Sequence, residues 1–107
     1  MAFKAGGVNP MPPVTGNDAP ITALQLIIAG DQYNTISKPS EIVAVQLLKG
    51  ETPKAQTTLY GTPSQLFVPA VVTQDNLKAE IIDKYIQTAV ELCAGRYAEG
   101  CKKLGIQ

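Results

Sequence analysis

Two short polar groups in this chain carry residue types that could bind a small polar molecule. Asn17 and Asp18 follow an extended stretch at 13–15, and Lys38 follows a second one at 33–37. Each group closes an apolar run where the chain must turn, and α/β proteins bind ligands at the carboxyl ends of neighbouring strands. A carboxylate accepts hydrogen bonds from two adjacent hydroxyls, while an ammonium donates to others. The pattern therefore predicts a site for a polyhydroxylated ligand at Asp18 and Lys38, with Asn17 as a weaker candidate.

The same three residues also have ordinary structural interpretations. Asp18 precedes an apolar helix and could be its N-cap, a role worth about 1 kcal/mol that is compatible with ligand binding through the second oxygen. Lys38 could be a solvated lysine at a strand end, with its backbone held by Pro39. Asn17 is of a type that commonly forms turns.

The elements that must position these residues alternate between helix and strand. Ile21, Leu24, Ile27 and Ile28 form a helical stripe within 19–29, and Gly30 is placed to end that helix. The sequence pattern predicts strands at 33–37 and 57–60, a turn at 61–64, and extended segments at 65–68 and 70–72.

Two further helices are predicted. Ser40 begins one that runs to Lys49 and ends at Gly50, after which 51–56 is a polar connection. The longest helix is expected from 77 to about 94, with Glu80 and Lys84 as an i, i+4 ion pair.

Composition restricts the class of protein. The 107 residues are 45% apolar and 17% charged, which suits one folded α/β unit. Nine basic residues balance nine acidic ones, so we expect no nucleic-acid partner. No apolar run approaches the roughly 20 residues of a membrane helix, and we expect no membrane insertion.

Cys93 and Cys101 lie near the end of the chain, eight positions apart. On one continuous helix they would be about 12 Å apart, too far for a bridge. Gly95 could end the helix and let the chain fold back, which would permit a disulfide. The alternative is a pair of buried thiols.

The sequence offers little for catalysis or for metal binding. Histidine is absent, and no nucleophile elbow, phosphate-binding glycine motif or close carboxylate pair occurs. Two cysteines do not make a zinc site. We therefore expect neither an enzyme, nor a metal centre, nor a cofactor.

Five segments in order resemble one family. They read PVTGND (13–18), LQLIIAGDQY (24–33), SKP (37–39), VQLLKG (45–50) and VVTQDN (71–76). Together they resemble the C-terminal part of the periplasmic sugar-binding proteins of ABC importers, of the ribose- and xylose-binding type. The resemblance implies an α/β fold: part of a periplasmic-binding-protein-like (flavodoxin-like) three-layer sandwich with a mostly parallel sheet.

The resemblance also implies a function. Proteins of this family bind a monosaccharide between two lobes without reacting with it, and deliver it to an ABC permease from the periplasm or the extracellular space. By resemblance, Asp18 is the C-lobe carboxylate that accepts from sugar hydroxyls, and Lys38 is the hinge group that donates. Tyr33, Tyr60 and Phe67 lie nearest the hinge and are expected in a core or interface rather than on the sugar ring.

Members of this family are much longer and have two lobes, so we expect the chain to be a fragment. Residues 1–37 and 68–107 would belong to the C-terminal lobe, and 38–67 would pack on the N-terminal lobe. The helix at 40–49 is shorter than its family counterpart. Such a piece would need a partner, either the missing N-terminal part or a second copy of itself.

Two other functions stay open. The chain could be a self-associating structural module that binds no sugar usefully. It could also be the effector core of a lactose-repressor type regulator, although no helix-turn-helix region is present.

Overall fold

The computed structural model describes residues 2–38, 40–53 and 57–106, and it contains both helices and strands. The elements in chain order are α1 (Ala2–Ala5), α2 (Ile21–Ile28), β1 (Thr35–Ser37), α3 (Ser40–Leu48), β2 (Thr57–Leu59), β3 (Thr62–Ser64), β4 (Ala70–Val72), α4 (Ala89–Leu92) and α5 (Ala98–Lys103). A π-helical turn lies at Lys78–Ile82 and a 3₁₀ turn at Gly95–Tyr97. The predicted mixture of helix and strand is confirmed.

The helix α2 agrees with the predicted stripe. Leu24 and Ile27 are completely buried, and Ile28 nearly so. Gly30 follows the helix with a φ of 78°, a left-handed conformation that glycine adopts without strain. The predicted helix end is therefore confirmed, while the helix starts two residues later than expected.

The prediction that Asp18 is the N-cap of this helix is wrong. The N-cap is Pro20, whose φ of −63° and ψ of 154° lead directly into the helix. Asp18 lies before it with a φ of 65°, in a turn that precedes the helix. The proline ring fixes φ near −65°, which is compatible with the extended conformation of the cap position.

The described strands form two antiparallel pairs. β1 pairs with β4 in the register Thr35 with Val72, and β2 pairs with β3 in a hairpin. A parallel bridge joins Thr15 to Asn34 just before β1. The mostly parallel sheet is thus not confirmed, and residues 62–64, expected in a turn, form a strand.

The prediction of one long helix over 77–94 is wrong. The chain turns at Tyr85, which has a φ of 58°, and a new helix starts at α4 with Thr88 as its N-cap. Leu77 and Leu92 would be about 22 Å apart on a straight helix. Both are fully buried in the same core cluster, although the helix is interrupted between them. The predicted Glu80–Lys84 ion pair is confirmed at 2.6 Å.

Cys93 and Cys101 form a disulfide with their Cα atoms 5.8 Å apart. Gly95 has a φ of 61° and reverses the chain between them, as expected. The alternative of two free thiols is excluded in this structure.

The chain divides into two compact units: Met1–Ser37 with Ala70–Gln107, and Lys38–Pro69. The first unit contains the buried core, which is made of Ala19, Leu24, Ile27, Ile28, Val72, Leu77, Ile81, Leu92, Cys93, Cys101 and Ile106. The second unit contains α3 and the β2–β3 hairpin, and none of residues 42–53 and 57–69 is buried. The predicted apolar face of α3, made of Ile42, Val45 and Leu48, is therefore exposed to solvent.

Two predictions fall outside the described residues. They are the constraint that Pro39 places on Lys38 and residues 54–56 of the polar connection predicted at 51–56. Within the residues that are described, no helix has the length and apolar character needed to cross a membrane.

Candidate functional site

The turn that carries Asn17 and Asp18 is built on a short parallel pairing. The Tyr33 amide donates to the Val14 carbonyl at 2.7 Å, and the Gly16 amide donates to the Asn34 carbonyl at 3.0 Å. The stretch at 14–16 therefore runs beside the start of β1 in the same direction. Asn17 and Asp18 follow at its carboxyl end, where the sequence predicted them.

Gly16 is required by close packing at this pairing. A Cβ added there would lie 2.5 Å from Nε2 of Gln32 and 3.5 Å from Oγ1 of Thr35. Gln32 is 8% exposed, and its Nε2 donates to the Asn34 carbonyl at 2.8 Å. The buried amide occupies the space that a larger residue would need.

The far side of the turn is held by Thr35. Its hydroxyl accepts a hydrogen bond from the Ala19 amide at 3.2 Å, and Thr35 is completely buried. Ala19 is also buried, with a φ of 44°. Two successive left-handed residues, Asp18 and Ala19, bring the chain from the strand end back into the core, a conformation that costs about 1–2 kcal/mol per residue other than glycine. The turn thus presents Asn17 and Asp18 outward, and both are exposed.

Lys38 comes directly after β1 and is also exposed. It is the first residue of the second unit, whereas Asn17 and Asp18 belong to the first. The structure therefore brings Asn17 and Asp18 together in one turn and places Lys38 at the start of the other unit.

The turn offers hydrogen-bonding groups only. Asn17 supplies an amide that can donate and accept, and Asp18 supplies a carboxylate that accepts. No cluster of three or more potential metal ligands occurs in residues 2–38, 40–53 and 57–106. The chemistry available here is the binding of a molecule with several hydroxyl or amine groups.

Sequence reasoning missed the residues that hold the turn in place. Gln32 and Thr35 were assigned no role, although polar residues beside a predicted strand could have indicated one. Tyr33 and Tyr60, which were expected in a core or an interface, are exposed and so lie in no core of this chain, while their place in an interface stays a prediction. Phe67 is partly exposed.

Comparison with known proteins identifies relatives of one kind. The chain is 34% identical over 92 residues to the D-xylose-binding periplasmic protein of Escherichia coli strain K12, covering 76% of this chain and 28% of the relative. It is 30% identical over 96 residues to the multiple sugar-binding periplasmic receptor ChvE of Rhizobium radiobacter, covering 78% of this chain and 27% of the relative. The chain is homologous to a stretch of the periplasmic sugar-binding proteins. The predicted family is thus confirmed.

The chain spans just over a quarter of the length of these periplasmic sugar-binding proteins. A solved structure of a carbohydrate transporter solute-binding protein from Chloroflexus aurantiacus, in complex with D-glucose, is 32% identical. The alignment has a TM-score of 0.46 and covers 74% of this chain and 26% of the chain in that structure. No family model matches the chain. The two relatives from Escherichia coli and Rhizobium radiobacter are named as sugar-binding proteins and not as enzymes, which agrees with the prediction that this chain is not an enzyme.

Proposed function

We propose that this chain supplies part of the monosaccharide site of a periplasmic sugar-binding protein. The observation that carries the proposal is its 34% identity to the D-xylose-binding periplasmic protein. The exposed Asn17–Asp18 turn, held at a strand end by Thr35, supports it because that is where an α/β protein binds its ligand.

Within this proposal each polar residue has a distinct role. Asp18 accepts hydrogen bonds from two neighbouring sugar hydroxyls, and Asn17 contributes its amide. Lys38 donates to a further sugar oxygen. No covalent bond is formed or broken and no proton is transferred, so the chain binds the sugar and does not catalyse a reaction.

The proposal extends to the arrangement of the whole protein. The first unit belongs to the C-terminal lobe, part of a three-layer fold with a mostly parallel sheet, and the second unit packs on the N-terminal lobe. The division of the chain near residues 38 and 69 supports this assignment. Sugar binding between the lobes would favour the closed state, which an ABC permease would recognise. The names of the relatives support a periplasmic location.

Calorimetric titration of the chain with D-xylose and D-glucose tests the proposal. We expect Asp18→Asn to raise the Kd by about tenfold or more, because a hydrogen bond to a charged acceptor is worth about 1.5–3 kcal/mol. Glu99→Gln is the control, since Glu99 is an exposed carboxylate whose partner is Lys103 on α5. Equal affinities for wild type and Asp18→Asn would refute the role of Asp18, and no heat with D-xylose or D-glucose at tens of millimolar would refute sugar binding at the Asn17–Asp18 turn.

One observation favours a second function, self-association without useful sugar binding. On α3, Leu47 is 60% exposed and Leu48 is 88% exposed. Exposed apolar residues in one short helix are typical of a surface that another chain covers. In this second function, a second copy of this chain covers that surface.

A further inference from the structure

A cavity of about 350 Å³ lies in the first unit at the opposite end of the strands from Asp18. Its walls come from residues 11–14, 30–33 and 73–75. Residues 11–14 precede the parallel bridge and 30–33 precede β1. Residues 73–75 follow β4, which is antiparallel to β1, and so reach the same end. The cavity is therefore separate from the Asn17–Asp18 turn.

One wall of this cavity is apolar and rigid. Met11, Pro12 and Pro13 lie along it, and prolines restrict the backbone there. Tyr33 also lines the cavity and is 64% exposed. An exposed aromatic ring beside an apolar wall offers a flat surface for the C–H face of a ligand.

The polar side of the cavity is held in place by hydrogen bonds to the main chain. Gln74 donates through Nε2 to the Ile27 carbonyl at 2.7 Å, and Gln32 donates to the Asn34 carbonyl. Asn76 closes the 73–76 turn by accepting from the Thr73 amide at 2.8 Å and donating to the Val71 carbonyl at 2.9 Å. Because each glutamine uses its amide N–H as the donor in these bonds, its side-chain carbonyl oxygen is the group that can accept from a ligand.

The charges around the cavity favour a neutral ligand. The Asp31 carboxylate is neutralised by Lys4, whose Nζ lies 2.8 Å away. The Asp75 residue is exposed to solvent, and one solvent-exposed charge attracts a cation only weakly. The cavity thus combines several acceptors with an aromatic ring.

We propose that this cavity is a second binding site, for a neutral saccharide or other cyclic polyol. The sugar ring stacks on Tyr33, and its hydroxyls donate to Asp75 and to the carbonyl oxygens of Gln32 and Gln74. This site does not depend on the proposed function of Asp18.

The test is an NMR titration of the ¹⁵N-labelled full chain with D-glucose. We expect saturable shifts at the amides of 31–33 and 73–75. Tyr33→Ala is expected to weaken this binding by about tenfold, and Asp75→Asn by about threefold to tenfold. Shifts at 17–19 would report the first site separately, and Asp18→Asn would move only those to higher glucose concentrations.

Tyr85→Ala is the matched control, because Tyr85 is 92% exposed in the same unit and does not line the cavity. It should leave the glucose affinity unchanged. Unperturbed amide positions elsewhere would show that each variant is folded. The proposal is overturned if the amides at 31–33 and 73–75 do not shift at about 100 mM glucose, if Tyr33→Ala binds like wild type, or if methylammonium chloride shifts the same amides as strongly.

Discussion

At the residue scale, Gly16 is a position where packing rather than turn geometry excludes a side chain. We expect Gly16→Ala to lower the free energy of unfolding by about 1–3 kcal/mol, because the added Cβ would lie 2.5 Å from Nε2 of the buried Gln32. Urea unfolding followed by circular dichroism measures the change.

A double-mutant cycle tests the physical reason. In a Gln32→Ala background the obstructing amide is gone, so Gly16→Ala should cost clearly less than it does alone. An equal cost in both backgrounds would show that the contact with Gln32 is not the cause.

At the element scale, the helix α5 packs so closely on α2 that Gly100 has no room for a side chain. A Cβ there would lie 2.6 Å from Cγ2 of Ile28 and 3.1 Å from its carbonyl oxygen. Alanine favours helix over glycine by up to about 1 kcal/mol, but overpacking costs about 1–3 kcal/mol. We therefore expect Gly100→Ala to lower the melting temperature, and a raised one would mean that the two helices can separate without loss.

The disulfide joins the end of α4 to α5. Its sequence separation of eight implies a stabilisation of about 2.5 kcal/mol in the chain-entropy treatment. We expect dithiothreitol to lower the urea midpoint of the wild type accordingly. The double variant Cys93→Ala, Cys101→Ala should have the lower urea midpoint already without dithiothreitol, and dithiothreitol should not change it. A change of its midpoint would show that the reductant acts on the protein by a route other than the disulfide.

At the scale of the whole molecule, the second unit exposes the apolar side chains of α3. We expect the mass of the chain in sedimentation equilibrium to rise with concentration. Leu47→Gln combined with Leu48→Gln should weaken this association by about tenfold or more, because each leucine loses its apolar contribution to the contact.

Val90→Gln is the control for that experiment, since Val90 is 82% exposed but lies in the first unit. It should leave the association unchanged. A monomer mass at every concentration would contradict the prediction, as would an equal effect of Val90→Gln.

The features predicted well from the sequence are those that depend on neighbouring residues. The stripe of α2 and its end at Gly30 follow from a helical period and a glycine, and the i, i+4 ion pair of Glu80 follows from the same period. The five family segments, read in order, identified the relatives that the comparison found. The disulfide also follows from local sequence, because Gly95 lies between the two cysteines and can end a helix.

The remaining features depend on contacts between residues that are distant in the chain. The helical pattern over 77–94 could not reveal the turn at Tyr85, which lies between Leu77 and Leu92 of the same core. The position of Asp18 depends on Thr35, and the cavity depends on three segments meeting at one end of β1. Periodicity encodes which face of an element is apolar, whereas tertiary packing decides where each element must stop so that those faces can meet.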